Sequence, residues 1–198
     1  MTYDYQMFIG ATSIALGVVG YAFYFRSIFR GITKPHIFTW LTYGILDSIV
    51  FSAQVIKGAG PGAWTLGFSV LACFVIAAIA LHWGEKRITK SDWLCFIGAL
   101  VAIAFWFVTS NPLGAVVIAS LINLLALVPT FRKSYLRPHE ESVSMWSFDI
   151  AKYALSIFAL SSLNATTALF PVVIVVCNGA LVTLILLRRR QLATIARI

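Results

Sequence analysis

Seven long apolar runs, separated only by short polar segments, occupy most of this 198-residue chain. A helix needs about 20 mainly apolar residues to cross the hydrocarbon core of a bilayer. Backbone groups in hydrocarbon must be paired within their own segment, which favours helices. The pattern therefore predicts an all-α membrane protein with seven transmembrane helices. The predicted spans are 5–25, 36–56, 63–83, 92–109, 113–131, 143–160 and 166–187.

Composition excludes several other classes of protein. The chain is 60% hydrophobic and 11% charged, whereas about a quarter of the residues of a soluble domain are charged. The net charge of +8 forms no basic face with interleaved polar residues, so no nucleic-acid partner is predicted. The histidines and cysteines share no metal-ligand spacing, and no catalytic motif is present, so we predict neither a metal, nor another cofactor, nor an enzyme. Membrane lipid is the expected surroundings, and a homo-oligomer is left open.

The basic residues predict the orientation of the chain. With seven spans, thirteen of them fall on one side of the membrane, against Lys57 alone on the other, and Lys152 lies inside span six. Lys and Arg accumulate in cytoplasmic loops. We therefore expect a multi-pass protein of the plasma (inner) membrane, with its N-terminus outside and its C-terminus in the cytoplasm. The thirteen are Arg26, Arg30, Lys34, Lys86, Arg87, Lys90, Arg132, Lys133, Arg137, Arg188, Arg189, Arg190 and Arg197.

The chain also aligns with itself at an offset of 106 residues. Phe25-Arg26 then matches Phe131-Arg132, and Trp40 matches Trp146. Spans one to three fall on spans five to seven, and span four is left as a linker. An odd linker gives both triplets the same orientation, which defines a parallel repeat; chance similarity between helical hairpins is the alternative. The predicted layout is a first three-helix bundle (1–91), a linker helix (92–112) and a second three-helix bundle with a basic tail (113–198).

Between spans five and six the chain reads Pro129-Thr130-Phe131-Arg132-Lys133-Ser134-Tyr135 and then Glu141-Ser142-Val143-Ser144. This stretch resembles the PQ-loop motif, in which a Pro-Gln pair is followed by a basic, Tyr-containing loop and a Ser-containing helix start. Here Thr130 replaces the Gln, and the first repeat has Phe23-Tyr24 in place of the pair, with Lys34-Pro35-His36 behind it. The 3+1+3 layout is similar to that of SWEET, cystinosin and KDEL-receptor proteins.

Ionisable groups inside a bilayer cost a few kcal/mol on insertion scales, so they mark candidate sites. Asp149, Lys152 and Tyr153 share one face of span six; they form either a solute-lining surface or a structural ion pair. Asp47 lies near the middle of span two with no basic residue on its face, and Gln54 extends that face. Asp47 either binds solute or is a protonated group that bonds across a helix interface.

Further candidates are uncharged or aromatic. Asn123 and Asn178 lie inside spans five and seven; either could bind solute or hold two helices together. Asn178 resembles the pocket Asn in the last helix of a SWEET-type bundle. Trp40 and Trp146 could flank a pocket, although a place in the core or at the membrane interface is the commoner one for aromatic residues. Pro129 and Pro171 are predicted hinges that gate the site. The segment 58–62 is either a gate at the outer mouth or a plain hairpin turn.

The resemblance implies a transporter that moves a small polar solute (a sugar, an amino acid or a nucleoside-like compound) by alternating access. Its site would lie at the midplane between the two bundles, and proton coupling through a carboxylate is left open. The alternative is a membrane receptor or sensor of the KDEL-receptor-like type. The predicted substrate-binding residues are Asp47, Asn123, Asp149, Lys152, Tyr153, Asn178, Trp40 and Trp146.

Overall fold

A computed structural model describes residues 2–31, 35, 37–84, 90–141 and 143–195. Within these ranges the chain is all-helical and contains no strand, so the all-α prediction is confirmed. The helices are α1 (Thr2–Phe29), α2 (Ile37–Ile56), α3 (Trp64–Trp83), α4 (Lys90–Thr109), α5 (Pro112–Leu136), α6 (Val143–Phe158) and α7 (Ala165–Ile195), with short 3-10 turns at Gly60–Ala63 and Pro138–Glu140. The loop and tail residues Lys34, His36, Lys86, Arg87, Ser142 and Arg197 lie outside the described residues.

Four of the helical segments are long and apolar enough to cross a membrane, judged by length and composition. They are Asp4–Phe29, Gly60–Trp83, Pro112–Leu136 and Ala165–Ala193. Helices α2, α4 and α6 coincide with the other three predicted spans, for which the crossing stays a prediction. The 16 residues of α6 rise only about 24 Å, which is less than the roughly 30 Å of a hydrocarbon core.

Three helices continue beyond their predicted ends and carry basic residues with them. Arg26 lies in the last turn of α1, Arg132 lies inside α5, and Arg188–Arg190 lie inside α7. The sequence had placed these residues in turns or in the tail, so that part of the prediction is wrong. Cations interact favourably with the partial negative charge at a helix C-terminus, and their long side chains can reach water from there.

The packing of the helices follows a regular pattern. Helix α2 packs on α3 and α6 packs on α7, while α1 contacts α3 and α6, and α5 contacts α7 and α2. Helix α4 lies against α2 and α5. The largest buried apolar cluster forms where α2, α3, α5 and α7 meet, and it contains Leu46, Val50, Leu66, Val116 and Phe170.

At the end of the molecule where α2 and α6 finish, two connections are bonded together. The backbone N–H of Ser161 donates to the Ala59 carbonyl at 2.9 Å, and Gln6 donates to the Leu160 carbonyl at 3.1 Å. A Cβ on Gly62 would lie 2.8 Å from the Leu160 backbone, closer than real Cβ contacts allow, so only glycine fits. We call this contact between Gln6, residues 59–63 and residues 160–161 the turn seal. The segment 58–62 is therefore a packed element and not a free hairpin turn.

The opposite end, which carries most of the basic residues, is held by α7. Arg189 donates to the Pro138 carbonyl at 3.1 Å and to the Glu141 carbonyl at 2.7 Å. Arg188 donates to the Tyr135 carbonyl at 3.1 Å, and its guanidinium lies 4.1 Å from the centre of the Tyr135 ring. These arginines therefore fix the α5–α6 connection in addition to any effect on orientation.

Candidate functional site

A cavity of about 120 Å³ lies between the helices, and all eight predicted substrate-binding residues line it. One water needs roughly 10–15 Å³ of such space, so the cavity admits a solute of several atoms. Whether these residues bind a solute stays a prediction. The lining residues are Tyr21, Trp40, Tyr43, Asp47, Cys73, Asn123, Leu127, Met145, Trp146, Asp149, Lys152, Tyr153, Ile174 and Asn178.

Helix α2 supplies one wall of the cavity. Trp40, Tyr43 and Asp47 are three and four residues apart, which places them on one helix face. Asp47 is only 7% exposed. Among the described residues its one hydrogen bond comes from the Cys73 thiol, with 3.9 Å between sulfur and oxygen, and no ion pair reaches it. The wall thus contains a buried carboxyl group without a charged partner.

Helix α6 supplies an ion pair. The sequence had left open whether its polar face forms an ion pair or a solute-lining surface. The Lys152 ammonium lies 2.8 Å from Asp149, and its side chain is 5% exposed. It also donates to the Ser69 hydroxyl at 3.2 Å. The ammonium lies 4.8 Å and 4.7 Å from the ring centres of Tyr21 and Tyr153, within the range of cation–π attraction. Lys152 is therefore fully compensated by protein groups, although it also lines the cavity.

The two asparagines have different surroundings. The Asn178 amide donates to the second carboxylate oxygen of Asp149 at 2.7 Å, so both oxygens of Asp149 are bonded. Asn123 is 7% exposed and lines the cavity, yet it makes no side-chain hydrogen bond within the described part of the chain. Asn178 thus holds the ion pair in place, whereas the amide of Asn123 can bond a molecule in the cavity.

The two tryptophans contribute ring surface. The Trp40 indole N–H donates to the Tyr24 hydroxyl at 3.2 Å, and that of Trp146 donates to Glu141 at 3.4 Å. Because both donors are already occupied by protein groups, the rings offer the cavity an apolar and aromatic wall. Both rings line the cavity, and Trp40 is also a buried core residue, so a role in flanking a solute stays a prediction.

Sequence reasoning missed six lining residues, of which the 106-residue offset could have found one. Four pairs of lining residues are related by that offset; Tyr43 matches the predicted Asp149, whereas Tyr21 and Leu127 match only each other. Cys73, Met145 and Ile174 have no such signal. The pairs are Tyr21 with Leu127, Trp40 with Trp146, Tyr43 with Asp149, and Asp47 with Tyr153.

Gln54 continues the helix face of Asp47, but it does not line the cavity. Pro171 lies inside α7 and has no N–H, which leaves the Thr167 carbonyl, four residues earlier, without its helical partner. The fully buried Gln54 amide donates to that carbonyl at 2.5 Å. Gln54 therefore replaces a missing backbone bond. Pro129 lies inside α5, and the hinge role of both prolines stays a prediction.

In comparisons with known proteins, no family model, no curated protein and no solved structure matches the chain.

Proposed function

We propose that this chain is a membrane carrier that moves a small polar solute by alternating access through the cavity. The observation that carries the proposal is the collection of eight polar and aromatic residues around one buried space. Buried polar groups in apolar helices are costly, and in membrane proteins they mark solute pathways. Asp47 and Asn123, both nine-tenths buried, have the strongest need for an outside partner.

The proposed layout is two three-helix bundles joined by α4, as in PQ-loop and SWEET-like carriers. The packing supports it, because exchanging α1, α2 and α3 for α5, α6 and α7 reproduces the pattern of helix contacts. The α1–α6 contact then corresponds to the α5–α2 contact. The four offset-related pairs around the cavity support the same twofold relationship, with an axis along the membrane normal.

The proposed orientation has the N-terminus outside and the C-terminus in the cytoplasm of a cell bounded by the plasma (inner) membrane. It rests on the basic residues, most of which lie at the end opposite to the turn seal. In this orientation the turn seal would face outward and close the outer side of the proposed carrier. Alternating access then requires the turn seal to open.

Uptake into liposomes tests the carrier proposal. Purified protein should accumulate a labelled solute from a panel of sugars, amino acids, nucleosides and amines, and Asp47→Asn should reduce the rate. Asp4→Asn is a matched control, because Asp4 is an exposed residue at the start of α1. Uptake that equals that of empty liposomes for the whole panel contradicts the proposal. Uptake that follows an imposed pH gradient in the parent but not in Asp47→Asn would add proton coupling; a pH-independent rate in both would remove it.

A further inference from the structure

The charges around the cavity do not balance. Among the described lining residues, Asp47 and Asp149 are acidic and only Lys152 is basic. Lys152 and Asp149 neutralise each other at 2.8 Å, and Asn178 and Ser69 complete their hydrogen bonds. A solute in the cavity therefore meets one carboxyl group, that of Asp47, whose only nearby ammonium among the described lining residues, that of Lys152, is already bonded to Asp149 and Ser69.

The protein provides little to compensate Asp47. A thiol is a weak donor, and 3.9 Å is a long contact, so Cys73 does not replace the water that an exposed carboxylate would bind. A buried charge needs a partner of opposite sign together with hydrogen bonds. At 7% exposure, Asp47 therefore either holds a proton or obtains both from a molecule that enters the cavity.

The other free surfaces of the cavity suit a cation. Aromatic rings attract ammonium groups through their faces, and this cavity already holds one ammonium, that of Lys152, against two tyrosine rings. The Trp40 and Trp146 rings remain as further aromatic wall. Asn123 adds an amide that can bond a hydroxyl or carbonyl group of the solute.

We propose, building on the carrier function, that the solute carries a positively charged nitrogen and that Asp47 is its counter-ion. The aromatic wall surrounds the charged end, and Asn123 binds a polar substituent. A neutral solute leaves Asp47 to be neutralised by a proton, whereas a cation can pair with its carboxylate and an anion would be repelled by it. The inference thus selects cations from the wider class of small polar solutes.

Binding to the purified full-length protein in detergent tests this inference with matched pairs of probes. Choline is compared with its neutral isostere 3,3-dimethylbutan-1-ol, and ethanolamine with ethylene glycol. We expect at least one cation to bind on the order of tenfold to a hundredfold more tightly than its isostere, because it pairs with Asp47, to which ethanolamine adds a hydrogen bond and choline a cation–π contact. Asp47→Asn should abolish that preference, Asn123→Ala should weaken binding of the cation and its isostere to a similar degree, and Asp4→Asn should change neither.

Several results would overturn the inference. One is an Asp47→Asn protein that melts like the parent and keeps the preference for cations. Another is the absence of any preference in the parent. If Asp47→Asn fails to fold, Asp47→Glu takes its place, and it should keep a preference for cations. The carrier function is judged separately: uptake of a sugar without cation binding would refute the inference alone, and choline binding without uptake of any solute would refute the carrier alone.

Discussion

Replacing Gln54 with Leu removes the amide that bonds the Thr167 carbonyl, which Pro171 leaves without a helical partner. A buried carbonyl without a partner costs about 1–3 kcal/mol in water-soluble proteins, while side-chain hydrogen bonds inside membranes average about 0.6 kcal/mol with a maximum near 1.7. The amide oxygen of Gln54 has no partner among the described residues, so its removal offsets part of the loss. We therefore expect Gln54→Leu to lower the free energy of unfolding by about 1 kcal/mol.

The physical reason can be isolated in a double-mutant cycle. Pro171→Ala returns an N–H to α7, and that N–H can bond the Thr167 carbonyl in the ordinary helical way. Gln54→Leu should then cost little in the Pro171→Ala background, which gives a coupling energy of about 1 kcal/mol. The assay is unfolding of the purified parent, both single variants and the double variant in mixed detergent, followed by tryptophan fluorescence.

Pro112→Ala provides the matched control for this cycle. Pro112 is the first residue of α5, where a backbone N–H has no helical partner in any case, so this change should be independent of Gln54→Leu. Effects of Gln54→Leu and Pro171→Ala that add within about 0.3 kcal/mol would refute the idea that Gln54 substitutes for the bond lost at Pro171.

Three further predictions concern the turn seal, the ion pair and the basic end. Gly62→Ala should lower the free energy of unfolding by about 1–3 kcal/mol through overpacking, whereas Gly179→Ala, which meets nothing within 4 Å, should not; equal melting temperatures would contradict this. Lys152→Met should lower the free energy of unfolding by about 1–3 kcal/mol, because it leaves the partly exposed Asp149 carboxylate without its charged partner, and adding Asp149→Asn should recover most of that loss; no recovery would argue against the pair. Arg189→Leu should speed hydrogen exchange in the α5–α6 connection about tenfold or more, and unchanged exchange would count against its anchoring role.

The positions of the helices could be predicted because hydropathy along the chain carries that information directly. Every predicted span coincides with a helix, and the largest errors are at the C-terminal ends of α1, α5 and α7, which bear arginines. Grouping of the polar candidates around one cavity could also be anticipated, since polar side chains in apolar helices face the protein interior. That reasoning predicts only that such side chains are buried, and both Asp47 and Asn123 are buried.

Partners on other helices could not be predicted. Asn178 bonds Asp149, and Ser69 bonds Lys152, across gaps of 29 and 83 residues in the chain. Gln54 shows the same limit: it continues the helix face of Asp47, but at its level α2 meets α7 instead of the cavity. Residue spacing predicts which side chains share a helix face. It does not predict which neighbouring helix or cavity that face meets at each level of the helix.

The repeat-related positions explain why the two halves of the cavity differ in charge. Helix α2 presents Tyr43 and then Asp47, whereas α6 presents Asp149 and then Tyr153 at the matching positions. Each half therefore contributes one carboxyl group and one phenol in opposite order. Lys152 makes the two halves differ in charge. The 106-residue offset matches it to an apolar residue of α2, and it forms an ion pair only with the carboxylate of its own helix. The unmatched charge is consequently confined to the α2 wall, and a cation that binds there would lie against the first half of the chain.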